Sequence, residues 1–210
     1  MMSFVDGAVS GAHVVGGGKL PTRDRLTGAF MRLVQQRGFA AVGTTEILQA
    51  AAAPRGSLYH HFPAGKSALA VAAIEALAAD ITGALQRAGD GKRPLASLLR
   101  QMATARAGWL KRTGWSEGPL LTVLANEVVP HEPDIADALK QAGDAVTDAF
   151  TDLFVARGFA TAQARRHAHM TRSVLDGAMT IARAARSVEA LTEAGDFLAR
   201  QFANPDSTGS

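Results

Sequence analysis

The chain has no cysteine, a single tyrosine and two tryptophans in 210 residues. Without a thiol there is no disulfide scaffold, no thiolate zinc site and no cysteine nucleophile, which leaves a cytoplasmic setting as the default expectation. Uninterrupted apolar runs of the roughly 18 to 20 residues that a membrane span needs are also missing, as is a basic leader followed by an apolar stretch, so neither membrane insertion nor secretion is expected. Charge of one sign is scarce as well. Lys and Arg number 22 against 19 Asp and Glu, a net of +3 that by itself names no partner.

Alanine, by contrast, is plentiful, with 42 of the 210 residues. Because Ala is the strongest helix former and aromatic residues favour strands, the expected class is all-α. The length suits one domain or two small ones. The charge is also unevenly spread. Between Leu20 and Lys66 there are six basic residues (Arg23, Arg25, Arg32, Arg37, Arg55 and Lys66) against Asp24 and Glu46, a local net of +4, whereas residues 67–210 carry a net of −1.

Residues 1–19, with Gly7, Gly11 and Gly16 to Gly18, and the tail 204–210 have no helical period and read as flexible ends. Between them run amphipathic helices. Leu26, Phe30, Leu33 and Val34 form a stripe after Pro21 and Thr22 that stops at Gly38. A short second helix carries Ile47, Leu48 and Ala51, with Thr44 or Thr45 as its N-cap and Glu46 in its first turn. A third is expected from about Pro54 to His60, and a fourth from near Lys66 through Leu69, Ala73, Leu77 and Ile81. Beyond Gly89 to Gly91 the stripes predict five more: Leu95 to Trp109, Leu120 to Val129 ended by Pro130 and Pro133, Ile135 to Phe154, Thr161 to Arg186, and Val188 to Phe202. Nine helices are expected in all, three of them small.

Two short helices joined by a tight turn over residues 44–62 have the layout of a helix-turn-helix. Pro54 and Gly56 remove bulk where a recognition helix approaches base edges. Arg55 supplies a fork of donors that matches guanine O6 and N7. Ser57 and Tyr59 offer hydroxyls, while Thr45 sits at a helix N-terminus where hydroxyl, backbone N–H and dipole favour a phosphate, as does Lys66. His60 and His61 are adjacent, about 100° apart on a helix, and His167 and His169 are two apart, so neither pair has chelating spacing. No metal and no cofactor are expected.

The stretch from the first helix through Lys66, above all Gly56-Ser57-Leu58-Tyr59-His60-His61-Phe62-Pro63-Ala64-Gly65-Lys66, resembles the DNA-binding domain of the tetracycline-repressor (TetR) family. Gly118 to Leu121 running into Glu127, and Asp176-Gly177-Ala178, are similar to the branch of lincomycin- and multidrug-resistance repressors. The resemblance implies a homodimeric repressor of double-stranded operator DNA. Its helix-turn-helix domain would span residues 20–66, and residues 67–203 would form a six-helix core for a small-molecule effector and for dimerisation. It further implies that Thr45, Tyr59, His61 and Lys66 hold phosphates and that Arg55 and Gly56 face the major groove, with His60 a further candidate. In one respect the chain departs from the family. The turn that usually holds Gly then Val holds Ala52 and Ala53, and Ala at a position that commonly needs φ > 0 costs about 1 kcal/mol.

In the remaining helices Met102, Trp109, Trp115, Phe150, Phe154, Met170 and Met179 are either core or the lining of a cavity for an apolar or amphipathic ligand. Glu127 and Asp176 are either capped or ion-paired carboxylates, or contacts to a polar or cationic ligand. Gly177, Ala178, Ala182 and Ala185, with Leu191 and Leu198 of the last helix, are candidates for a dimer interface. An enzyme is not expected, since no HExxH, Glu-x-x-His or nucleophile-and-base set is present. A DNA-binding regulator answering to a protein partner, or to no ligand, is the alternative.

Overall fold

A computed structural model of the chain describes residues 20–91 and 93–202, so the expected flexible ends lie outside the described residues. The described residues hold nine α-helices and no strand: α1 (Thr22–Arg37), α2 (Thr44–Ala50), α3 (Ser57–His61), α4 (Gly65–Asp90), α5 (Leu95–Arg112), α6 (Leu120–Val128), α7 (Pro133–Val155), α8 (Thr161–Ala185) and α9 (Glu189–Gln201). The all-helical class follows from the composition, and the helix count agrees with the periodicity.

Several boundaries differ in instructive ways. Gly43, not Thr44 or Thr45, is the N-cap of α2, and its extended backbone turns the chain into the helix without a side-chain bond. Pro54 does not begin α3. Residues 54–56 form a turn ahead of it, closed by the Ser57 amide donating to the Pro54 carbonyl at 3.0 Å, so Arg55 stands just outside the helix. Pro133 opens α7 instead of ending the previous segment, as suits a residue whose missing N–H would be unpaired there anyway. Helix α4 is long and apolar enough to cross a membrane by length and composition, yet half of it is buried inside the protein and Glu75 and Asp80 interrupt it.

The contacts divide the chain into two compact units. The first comprises residues 20–79 with Ser116–Gly143, and the second Asp80–Trp115 with residues 144–202. In the first, Leu26, Phe30, Val34, Ile47, Leu58 and Leu69 are sealed from solvent. In the second, α9 lies against α5 and α8. The approach is close: a Cβ on Gly195 of α9 would come within 2.8 Å of the Ala103 Cβ of α5. The abundant alanine therefore serves packing as well as propensity, since small side chains let helix axes draw together. The stripe of α8 read from the sequence, Ala164, Ala168, Thr171, Leu175, Ala178 and Ala182, is its buried face. Phe154 anchors one end of this unit edge-on to Phe159 and Phe202, at ring separations of 5.5 and 5.0 Å.

Candidate nucleic-acid interface

The helix-turn-helix depends on how tightly its turn is held. Helix α2 ends in a complete Schellman motif, with the Ala53 amide donating to the Leu48 carbonyl and the Ala52 amide to the Gln49 carbonyl, both at 3.0 Å. This motif requires a left-handed residue, and Ala52 supplies it with φ of 46°. The strain expected from the sequence is thus present, and its counterweight lies on α1. One guanidinium nitrogen of Arg25 donates to the carbonyls of Ala51 at 2.6 Å and Ala52 at 2.7 Å, and the other to Thr22 Oγ1 at 3.1 Å. Carbonyls that a helix end leaves orphaned are satisfied by a charge-assisted donor. Nothing in the periodicity pointed to Arg25, because its target is backbone.

A second clamp holds the loop between α1 and α2. The Glu127 carboxylate at the end of α6 accepts from the amides of Phe39 and Ala40, each at 2.6 Å. Gly38 permits this approach, since a Cβ there would stand 2.7 Å from Glu127 Oε2, and its φ is 86°. From the other side Lys66 Nζ donates to the carbonyls of Phe39 at 3.0 Å and Val42 at 3.2 Å, and lies 4.1 Å from the Phe39 ring centroid. The Gly118 amide donates to the Gln35 carbonyl at 2.7 Å and ties the start of α6 to the end of α1. Glu127 is accordingly bound to the loop beside α1, the capped-carboxylate alternative, and not to a ligand cavity. Lys66 has two of its three ammonium donors committed to backbone carbonyls.

Four of the six local cations are committed, and Arg32 and Arg55 stand exposed. Arg25 and Lys66 serve backbone, Arg37 pairs with Glu46 at 2.5 Å, and Arg23 lies over the Phe62 ring at 5.3 Å. Arg55 is exposed and makes no hydrogen bond or ion pair with any described residue. Around it Thr45, Gly56, Tyr59 and His60 are exposed, while Ser57 and His61 are half-buried. Tyr59 is 60% exposed, an unusual position for an aromatic ring, and its edge lies 3.5 Å from where a Gly65 Cβ would be. The His60 and His61 rings meet edge to face at 4.9 Å.

The other candidates lie mostly inside the second unit. Met102, Trp109, Phe150, Phe154 and Met179 are buried, and Trp115 is half-buried with a left-handed φ of 64°, its carbonyl accepting from Arg183 Nε at 3.2 Å. Met170, on the outward side of α8, is 58% exposed and lines no interior. Asp176 is likewise exposed. The candidates for a dimer interface divide by burial. Ala178, Ala182, Leu191 and Leu198 are buried against their own chain, since small residues let α5, α8 and α9 pack closely within one subunit. Gly177 and Ala185 are exposed, on the side of α8 that also carries Met170 and Ile181, and Phe197 of α9 is 49% exposed. Sequence reasoning missed Ile181 and Phe197, although a large apolar residue off the buried stripe was the available signal.

Two family descriptions match the chain: "Bacterial regulatory proteins, tetR family" over residues 26–73 and "Transcriptional regulator LmrA/YxaF-like, C-terminal domain" over residues 95–197. An uncharacterised HTH-type transcriptional regulator of Mycobacterium tuberculosis is 28% identical over 188 residues, covering 87% of this chain and 92% of that one. The HTH-type transcriptional regulator LmrA of Bacillus subtilis is 22% identical over 170 residues, covering 79% and 88%. In fold, the crystal structure of a TetR transcriptional regulator from Legionella pneumophila superposes with a TM-score of 0.74 at 18% identity, over 87% of this chain and 97% of that one. These relatives are transcriptional regulators and not enzymes.

Proposed function

The chain belongs to the tetR family of bacterial transcriptional regulators, with an LmrA/YxaF-like C-terminal domain, and on that footing we propose that it represses transcription as a homodimer on a palindromic operator and lets go when a small apolar or amphipathic molecule binds its second unit. The observation that carries the DNA-binding part is the exposed, uncommitted Arg55 beside Gly56, Tyr59 and His60. In this reading Arg55 reads a guanine, with Gly56 admitting the backbone close to the groove and His60 beside it. Thr45, Ser57, Tyr59 and His61 position the phosphates. Lys66 acts chiefly by shaping the α1–α2 loop, with its remaining donor toward phosphate.

Two copies would place their α3 helices in successive major grooves, about 34 to 36 Å apart. The exposed apolar stripe of Met170 and Ile181 on α8, with Phe197 on α9, supports a second copy as its cover. Release requires that the effector favour the DNA-incompetent conformation, by several kcal/mol for a clean switch.

Selection of binding sites from random DNA by the full chain, followed by gel-shift titration, tests the reading. Arg55→Ala is expected to cost about 1 to 3 kcal/mol of operator affinity and to relax specificity at one base pair, without changing the melting temperature. An unaltered ratio of operator to random-DNA affinity would remove Arg55 from base readout. Ile181→Glu is expected to shift the sedimentation coefficient toward a monomer, and an unchanged dimer would move the interface elsewhere.

A further inference from the structure

The buried stripe of α5 is apolar at every turn but one. Leu95, Leu98, Leu99, Met102, Ala103, Trp109 and Leu110 are buried, and at the position one turn from Met102 and from Leu110 stands Arg106. Its guanidinium makes one hydrogen bond, a long one of 3.3 Å to the Met102 carbonyl of its own helix. It forms no ion pair with any described carboxylate. Burial draws its pKa below the ordinary arginine value, while the negative charge of Asp176 on α8 acts in the opposite sense. Asp176, however, is exposed. Arg106 is not sealed either: it keeps part of its surface accessible. Arg106 is thus partly accessible, with one long hydrogen bond to use its five N–H donors.

Helix α8 repeats the pattern. Its buried stripe has one polar residue, Thr171, which is 0% exposed and whose Oγ1 has no hydrogen-bond partner. Thr171 precedes Asp176 by five residues, about 7.5 Å along the helix. The two facing stripes each carry one polar interruption, and in both the donors are left largely unpaired. A buried cation without a matched anion destabilises a fold, and a buried orphan hydroxyl does so too. Five N–H donors in a planar fork on α5, an unpaired hydroxyl on α8, and the buried Met102, Trp109, Leu175 and Met179 of the same two helices suit a planar anion on an apolar body.

We propose that the second unit takes an apolar molecule bearing a carboxylate, held by Arg106 through its guanidinium fork and by the Thr171 hydroxyl. This rests on the effector reading above and reverses the polarity that Asp176 suggested from the sequence. A cationic ligand would meet the Arg106 charge.

Thermal melting of the full chain tests it with matched probes: 2-naphthoate, 2-naphthamide and 2-naphthylmethylamine, and octanoate with octanamide. The carboxylates are expected to raise the melting temperature in a concentration-dependent way, well beyond their amides, and the amine not at all. In Arg106→Met the carboxylate response is expected to vanish. Without any probe, that variant is expected to melt about 2 to 4 °C higher, because an apolar side chain of similar length replaces an unpaired buried charge. Arg106→Lys keeps the charge without the fork and should retain a reduced response.

Equal stabilisation by amide and carboxylate, or binding of the amine alone, overturns the proposal while leaving an effector site standing. Should no probe bind, the unliganded variant decides: a lower melting temperature for Arg106→Met makes the Arg106 and Asp176 attraction structural and overturns the proposal. Failure of the effector reading looks different. There the carboxylate binds in the wild-type chain and loses its response in Arg106→Met, but operator occupancy in a gel shift is unchanged at saturating probe.

Discussion

The unit built on α1, α2 and α3 and the one built on α5, α8 and α9 differ in what their polar side chains hold. In the first, side chains bind the backbone groups of the turn and the loop, although Arg25 Nε and Gln35 Oε1 are buried without a partner. Arg25 satisfies the carbonyls of the turn, Glu127 the amides of the α1–α2 loop and Lys66 its carbonyls, while Arg55, like Arg32, stands in solvent. In the second, the outside is partly apolar, with Met170, Ile181 and Phe197, while a cation and a hydroxyl remain underused inside.

The contrast breaks most directly at Glu127. Glu127→Ala removes two charge-assisted bonds and leaves the Phe39 and Ala40 amides without acceptors, an expected loss of about 2 to 4 kcal/mol in denaturant unfolding together with weaker operator binding. Glu127→Gln, which keeps one acceptor oxygen, should recover about half. If Glu127→Ala unfolds as the parent does, the loop is not held from α6 and the first unit is less closed than described.

Next in size is Arg25→Ala, which opens the carbonyls of Ala51 and Ala52 and is expected to cost about 1 to 3 kcal/mol. Ala52→Gly relieves the left-handed strain and is expected to stabilise by about 1 kcal/mol, in the parent chain and in Arg25→Ala alike. A double-mutant cycle reads both. Destabilisation by Ala52→Gly would mean that the alanine methyl contributes packing worth more than the strain.

The smallest effect sharpens the other half of the comparison. His167 packs against Phe154, Phe159 and Phe202 with its Nε2 buried and unpartnered, and burial, reinforced by Arg166, holds its pKa below the ordinary value. The unfolded chain therefore binds the proton more readily. The stability this creates is present above about pH 6.5 and is lost as the pH falls from there through the folded-state value. His167→Phe should flatten the decline of melting temperature on acidification. An unchanged slope would assign that decline to other groups.

How far the sequence could be read followed the range of the interactions. Helix α8 was legible almost residue by residue because its buried stripe repeats every three to four positions, and a stripe is a local property. The Tyr59-His60-His61-Phe62 element and the left-handed demand at Ala52 were legible in another way, through resemblance to the family's motif. The partners of Arg25, Glu127 and Lys66 were not, because each acts on backbone atoms of a distant segment, and backbone atoms leave no trace in side-chain patterns. Arg106 was hidden in another way: a charged residue in a helix is ordinarily placed on the solvated face.

The composition and spacing of the residues by themselves determined an all-helical chain of nine segments with a basic helix-turn-helix near its start, since propensity, periodicity and turn chemistry operate within a few residues. Tertiary structure alone decided which charges remain free. An arginine becomes a clamp, an ion-pair partner, a solvent-exposed cation or a buried donor according to what the fold brings within about 3 Å of its guanidinium, and residues far apart in the chain set that distance.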